Sequence, residues 1–335
     1  VRARALKEAG ALLEMPGLLD DVKAYLEEGL ALFEELGDID EAAQTLWNLG
    51  HVEWTRGAYA AAAHYANESQ KRYAAVNNTT GIGWALWLLC NLARERVELA
   101  QAHELAEGAL AQGKRSGHPI LTAYATHSLS RVQLACGALR NANTSAEDAL
   151  TRGHQIQHSG FIAHALLQSG RVAAAEGDAT AAIALWEEGL AIATSIQSAR
   201  ASAEIQLELG WAEQWRGNHD RARGLLAASL RWYQDRGHPM YQAECLAGLA
   251  AVIAFADPSA SGAARAAQFL GAVEMLRGAN TVVVRPAGEH DYHRAVDAVR
   301  ARLGEVMHSI AWAEGQSMSM EQVAANVLVL SSEEQ

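Results

Sequence analysis

The chain has 335 residues, half of them apolar, with 6% aromatics, five prolines and a formal net charge of −12. Alanine, leucine and glutamate dominate, which favours helix over an all-β fold. The acidic balance and the lack of a Lys/Arg run exclude a surface built for direct nucleic-acid contact.

No stretch of eighteen uninterrupted apolar residues offers a membrane span. Three cysteines, Cys90, Cys136 and Cys245, show no C-x-x-C spacing and fit a reduced, cytoplasmic compartment. The chain opens on VRARAL, without Met and already helical in pattern, so it reads as a piece cut from a longer protein.

From there a forty-residue period governs the sequence. Gly10, Gly50, Cys90, Ser130, Gly170, Gly210 and Ala250 are all small. Seven residues after each come Gly17, Gly57, Val97, Gly137, Gly177, Gly217 and Asp257; twelve after come Val22, Ala62, Ala102, Ala142, Ala182, Ala222 and Gly262. The register runs about 280 residues without an insertion and divides 1–279 into units of 1–37, 38–77, 78–117, 118–157, 158–197, 198–237 and 238–279.

Each unit reads as two helices. In the second, helix A is predicted over 40–56, a turn at Gly57 and helix B over 58–76. Ala43, Leu46, Leu49, Gly50 and Glu53 share one face of A; Ala62, Ala66, Ser69, Gln70 and Tyr73 share one face of B. The next turns fall at Gly37, Asn77, Gly117, Gln157, Gln197 and Gly237, where Gly and Asn suit the left-handed residue that ends a helix. Neither helix buries its apolar face alone, so neighbouring pairs must stack.

The third unit contains GALAQGKRS (108–116), close to a phosphate-binding loop. In the forty-residue register Gly108 and Gly113 fall inside helix B, with no preceding strand and Arg115 where a hydroxyl is needed, so nucleotide binding here is not expected. His154/His158 and His290/His293 stand at helical spacing, yet no H-E-x-x-H or Cys-rich pattern supports a metal. No G-x-S-x-G or other nucleophile pattern is present. The expectation is a non-enzyme without cofactor or metal.

After about residue 279 the period stops. TVVVRPAGEHDY (281–292) reads as a connector, followed by helices near 289–303, 305–314 and 320–330, the last opened by a Ser319/Gln322 capping box. Residues 280–335 are expected to cap the last repeat.

The spacing Leu46, Leu49, Gly50, Gly57, Tyr59, Ala62 resembles the tetratricopeptide motif. The forty-residue unit, with AAQFLGAVEMLR (266–277) and RARLGEVMHSIAWAEGQSMSMEQVAANVL (300–328), resembles the C-terminal repeat domain of bacterial ATP-dependent regulators of the LuxR and antibiotic-regulator type. The resemblance covers essentially the whole chain. It implies an all-α, right-handed superhelical solenoid with a helical cap. It also implies nucleotide-binding and DNA-binding domains elsewhere in a parent transcriptional regulator.

In that resemblance the free face of helix A lines a concave surface. The register places Trp47, His51, Trp84, Trp87, Asn91, Arg94, Tyr124, His127, Arg131 and Arg171 there. Six of the nine tryptophans fall in helices A. Trp, Tyr and Arg are the residues most enriched at energetic hot spots, and Arg131 and Arg171 offer forks for carboxylate or phosphate. Some of these tryptophans also suit the gaps between forty-residue repeats. The face is expected to hold a protein segment or small-molecule effector, in a sensor arm or alternatively in a free-standing peptide-binding scaffold.

Overall fold

The computed structural model describes residues 19–235, 239–280 and 286–319, with 322, 323 and 326; the sequence features at 1–18 lie outside the described residues. Among the described residues all regular structure is helical, and the chain divides into two compact units between Glu176 and Gly177. The first contains α1 (Leu19–Glu35), α2 (Ile39–Thr55), α3 (Tyr59–Ala75), α4 (Thr79–Glu95), α5 (Leu99–Ser116), α6 (Pro119–Ala135), α7 (Leu139–Gln155) and α8 (Ser159–Ala175). The second contains α9 (Ala179–Ser195), α10 (Ala199–Trp215), α11 (His219–Gln234), α12 (Pro239–Ala256), α13 (Ala260–Asn280) and α14 (Pro286–Ser317). In the first unit A helices are even-numbered and B helices odd-numbered, and each packs on its neighbours in the chain.

Turns recur every twenty residues. Gly37, Gly57, Asn77, Val97, Gly117, Gly137, Gln157, Gly177, Gln197 and Gly217 all carry positive φ. After α2, Gly57 N–H donates to Trp54 O and Ala58 N–H to Glu53 O at 2.8 Å, the reciprocal pattern that satisfies the last carbonyls of a helix. The A helices then start on side-chain caps: Asp38, Asn78, His118, His158 and Ser198 each accept from the backbone N–H three residues on.

Small residues do what the period requires. Gly50 lies where an added Cβ would meet Leu88 at 3.0 Å and the Ala62 carbonyl at 3.2 Å. Ser69 and Ser130, fully buried, donate across A/B contacts to the Ala43 and Ala142 carbonyls, each at 2.8 Å. Between repeats, bulk is exchanged across the contact: the Tyr73 ring covers Gly81, and Phe161 fills the space beside Gly153. GALAQGKRS is the second half of α5, with Gly113 buried against Thr122 and Gly117 left-handed beyond the helix.

At the C-terminal end, helix begins at Pro286, earlier than the expected connector allowed. Proline is favoured in the first turn, where its missing N–H has no partner to lose. The helix breaks at Gly304 (φ 69°, ψ 163°), the junction expected between 289–303 and 305–314. α14 packs on α13 and α12, its Gly315 so close to the Gln268 carbonyl that no Cβ fits. Ser319 N–H donates to Gln322 Oε1 at 2.8 Å and Gln322 N–H to Ser319 Oγ at 3.3 Å, the predicted box. Residues 281–285 and most of the helix expected at 320–330 lie outside the described residues.

Candidate functional site

The register sets the same face of α2, α4, α6 and α8 side by side in the first unit. Aromatic rings bridge each helix to the next. Trp47 on α2 meets Trp84 and Trp87 on α4 at 6.0 and 6.3 Å between centroids, and its Nε1–H donates to Trp84 O at 3.0 Å. Trp84 and Trp87 meet Tyr124 on α6 edge-on at 5.6 and 5.7 Å, and Tyr124 meets Phe161 on α8 at 4.7 Å. His51 stacks on Trp47 at 5.5 Å, and His127 stands edge-on to Phe161 at 5.8 Å. Edge-to-face pairs at these distances are worth about 0.5–1.5 kcal/mol each beyond area burial.

These rings are half-buried, apart from the fully buried Phe161. Trp47, Trp54 and Trp87 pack against the buried Ala62, Ala66, Leu88 and Leu92. Trp47, Trp54 and Trp87 therefore close gaps between repeats while remaining partly exposed.

The polar residues divide. Asn91 is 2% exposed, so its amide is not displayed. Its Nδ2–H donates to Trp87 O at 2.8 Å, which turns Oδ1 towards Arg131, whose Nη1 donates to it at 3.3 Å. Asn91 thus positions the guanidinium from one repeat away. Arg94 is tied to the adjacent Glu95 carboxylate. His127, Arg131 and Arg171 are half-buried on α6 and α8, with Arg171 ten residues beyond Phe161 along α8. The structure therefore brings Trp47, His51, Trp84, Trp87, Tyr124 and His127 into one aromatic ladder, with Asn91 and Arg131 linked beneath it.

No family model matches the chain, and no curated protein matches it. Solved structures do. The apo form of RapI is 14% identical over 90% of this chain and 99% of its own, with a TM-score of 0.56. A Rap protein complexed with competence and sporulation factor is 12% identical over 90% and 98%, TM-score 0.56. A STAND protein with a tetratricopeptide repeat sensor, from Pyrococcus horikoshii, is 13% identical over 93% of this chain and 46% of its own, TM-score 0.58. The fold is that of tetratricopeptide-like helical repeats.

Two residues absent from the sequence-based site border this tetratricopeptide-like face. His118 and His158, caps of α6 and α8, stand edge-on to Trp84 and Tyr124 at 6.1 and 6.4 Å. Each accepts through Nδ1 from a backbone N–H, at 3.1 and 3.0 Å. The signal was their column, Asp38, Asn78, His118, His158 and Ser198, in which every residue has a side-chain acceptor. His158, four residues after His154, is thereby engaged as the cap of α8. Among the described residues no three His, Cys, Asp or Glu side chains gather to hold a metal, and no helix is long and apolar enough to cross a membrane.

The second unit has its own concavity, a cleft of ≈ 540 Å³ where α13 and the two halves of α14 meet. Glu274, His293, Arg300, His308 and Trp312 line it. His308 is 4% exposed, and its Nε2 has no hydrogen-bond partner among the described residues. Burial, reinforced by Arg300 and opposed by Glu305, lowers its pKa and holds the ring neutral.

Proposed function

We propose that the chain is a non-catalytic repeat module that takes a peptide or effector on the A-helix face of its first unit. We place it as the sensor arm of a larger ATP-dependent regulator of the LuxR type, with repeats over 1–279 and a cap over 280–335. The observation that carries the reading is the aromatic ladder from Trp47 to Phe161 with Arg131 beside it. Two of the similar folds point the same way, one solved in complex with competence and sporulation factor and one an ATPase with a tetratricopeptide repeat sensor. A bound ligand would bias a neighbouring switch domain only to the extent that it prefers one state, since equal affinity for both shifts nothing.

The test is titration of tryptophan fluorescence with peptide and metabolite panels, repeated with Arg131→Ala and Trp87→Phe. The reading expects a saturable change that both substitutions weaken. Binding unchanged in both variants refutes the site. A parent reading frame without an upstream P-loop ATPase refutes the regulator.

A further inference from the structure

We infer that the occupant of this face is an acidic peptide segment, with its carboxylates on Arg131 and Arg171 and its apolar side chains on the Trp84–Trp87–Tyr124 step. The inference rests on the binding reading above and adds the chemistry of the partner. The first observation is charge. The chain carries a net −12, yet α6 (PILTAYATHSLSRVQLA) and α8 (SGFIAHALLQSGRVAAA) contain no carboxylate at all. Each has one arginine, at the same register position, and one histidine, His127 or His164. In α4 and α2 the carboxylates on the packing side are already matched, Glu95 by Arg94 and the buried Glu53 by Lys23 at 2.8 Å. In the second unit the corresponding helix α10 carries Glu204, Glu208 and Glu213 beside Arg200, with Glu204 paired to Arg200 at 3.0 Å and the buried Glu213 to Arg221 at 3.1 Å. α6 and α8 are therefore a carboxylate-free, arginine-bearing stretch within an acidic whole, and charge complementarity sets partner choice and encounter rate.

The second observation is preorganisation. Asn91, buried and locked to Trp87 O, holds Arg131 from one repeat away, which reduces the side-chain freedom that the guanidinium loses on binding a carboxylate. The third is distribution. Arg131 and Arg171 sit one per helix, a repeat apart, with the aromatic step on the two helices α4 and α6. A free phosphate needs donors that converge on one point. Donors spaced by whole repeats beside flat aromatic surface suit an extended chain that presents acidic and apolar side chains in turn.

The test is selection of phage-displayed random dodecapeptides on the full 335-residue chain, followed by anisotropy with the fluorescein-labelled consensus. The expected peptides carry an excess of Asp and Glu with at least one aromatic or aliphatic residue. Their Kd weakens about tenfold or more in Arg131→Gln/Arg171→Gln and in high salt, and less in Arg131→Lys/Arg171→Lys. Asn91→Leu, which keeps the side-chain volume but removes the Oδ1 acceptor from Arg131, weakens them by a smaller factor. Circular dichroism of each variant checks that it folds. Neutral or basic consensus peptides that Trp87→Phe still weakens overturn the acidic class and leave the face standing. Peptides indifferent to Trp87→Phe and to the arginine pair overturn both. Failure to enrich any sequence family overturns the inference, as does saturable binding of inorganic phosphate alone that the arginine pair abolishes.

Discussion

Gly81 and Gly224 both lie inside helices, and propensity alone makes Gly→Ala stabilising by about 1 kcal/mol at each. Packing separates them. Around Gly224 an added Cβ meets nothing within 4 Å. At Gly81 it would sit 2.5 Å from Cγ of Tyr73 and closer still to Cδ1 and Cε1. Tyr73 is 6% exposed in the last turn of α3, so its ring has no solvent side to swing into. Restoring ordinary contact near 3.5 Å requires a shift of about 1 Å across the α3–α4 contact. Overpacking of this kind costs about 1–3 kcal/mol, and a pinned ring places it in the upper half. Net of propensity, Gly81→Ala should destabilise by about 1–2 kcal/mol, a fall in Tm of about 2–8 °C for a unit of this size. Gly224→Ala should leave Tm unchanged or raise it. Tyr73→Leu should absorb about 1 kcal/mol of the Gly81→Ala penalty in a double-mutant cycle. Thermal and urea melts by circular dichroism give the totals, and hydrogen exchange localises the loss to α3 and α4, because repeat arrays need not unfold as one. A Gly81→Ala variant as stable as Gly224→Ala, or an additive cycle with Tyr73→Leu, would refute the packing argument.

Val97 holds a left-handed φ of 61° at 59% exposure, so Val97→Gly should stabilise by about 0.5–1 kcal/mol in the same melts, the relieved strain exceeding the entropy glycine adds to the unfolded chain; a destabilised variant would contradict this. Of the three thiols only Cys136 is exposed, while burial pushes the Cys90 thiol up to about 11 and Cys245 lies in the core beside Ser229. Titration with Ellman's reagent should find one fast thiol in the native protein and all three in denaturant, and Cys136→Ser should remove the fast one. For His308, burial lowers the folded-state pKa below the unfolded value of about 6.5, so the unfolded chain binds the proton first. Its contribution is therefore constant above that value, declines as pH falls towards the folded-state pKa, and levels off beneath it. The stability difference between wild type and His308→Gln should shift against wild type as pH falls through and below about 6.5; a pH-independent difference would remove His308 from the account.

The repeat was legible because its constraints are absolute. A helix pair that touches at Gly50, Cys90 and Ser130 tolerates only small residues, and that column shows through every other substitution. The left-handed turns were legible by register rather than by residue type, since Val97, Gln157 and Gln197 carry no turn signature. The exchange of bulk between Tyr73 and Gly81, or Gly153 and Phe161, was hidden because it pairs two columns that each look irregular alone. Pro286 read as a connector because proline breaks helices in their interior but begins them readily.

At the site, the register groups residues by helix face but carries no information on depth. Asn91 shares the column of Arg131, yet the α4 backbone at Trp87 and the next helix enclose it, which makes it a support for the arginine. Arg94 was read as open, and its immediate neighbour Glu95 holds it. Tryptophan was the hardest residue to assign, because it can pack into a gap between repeats and still remain partly exposed, as at Trp47 and Trp87.

The most direct test of the binding face is photo-crosslinking of the full chain with a selected peptide carrying benzoylphenylalanine, the adducts being mapped by mass spectrometry. The account predicts adducts on the A helices α2, α4 and α6, near Trp47, Trp84, Trp87 and Tyr124, lost on competition with unlabelled peptide. Specific adducts confined to the B helices α3, α5 and α7, or to the second unit, would contradict it.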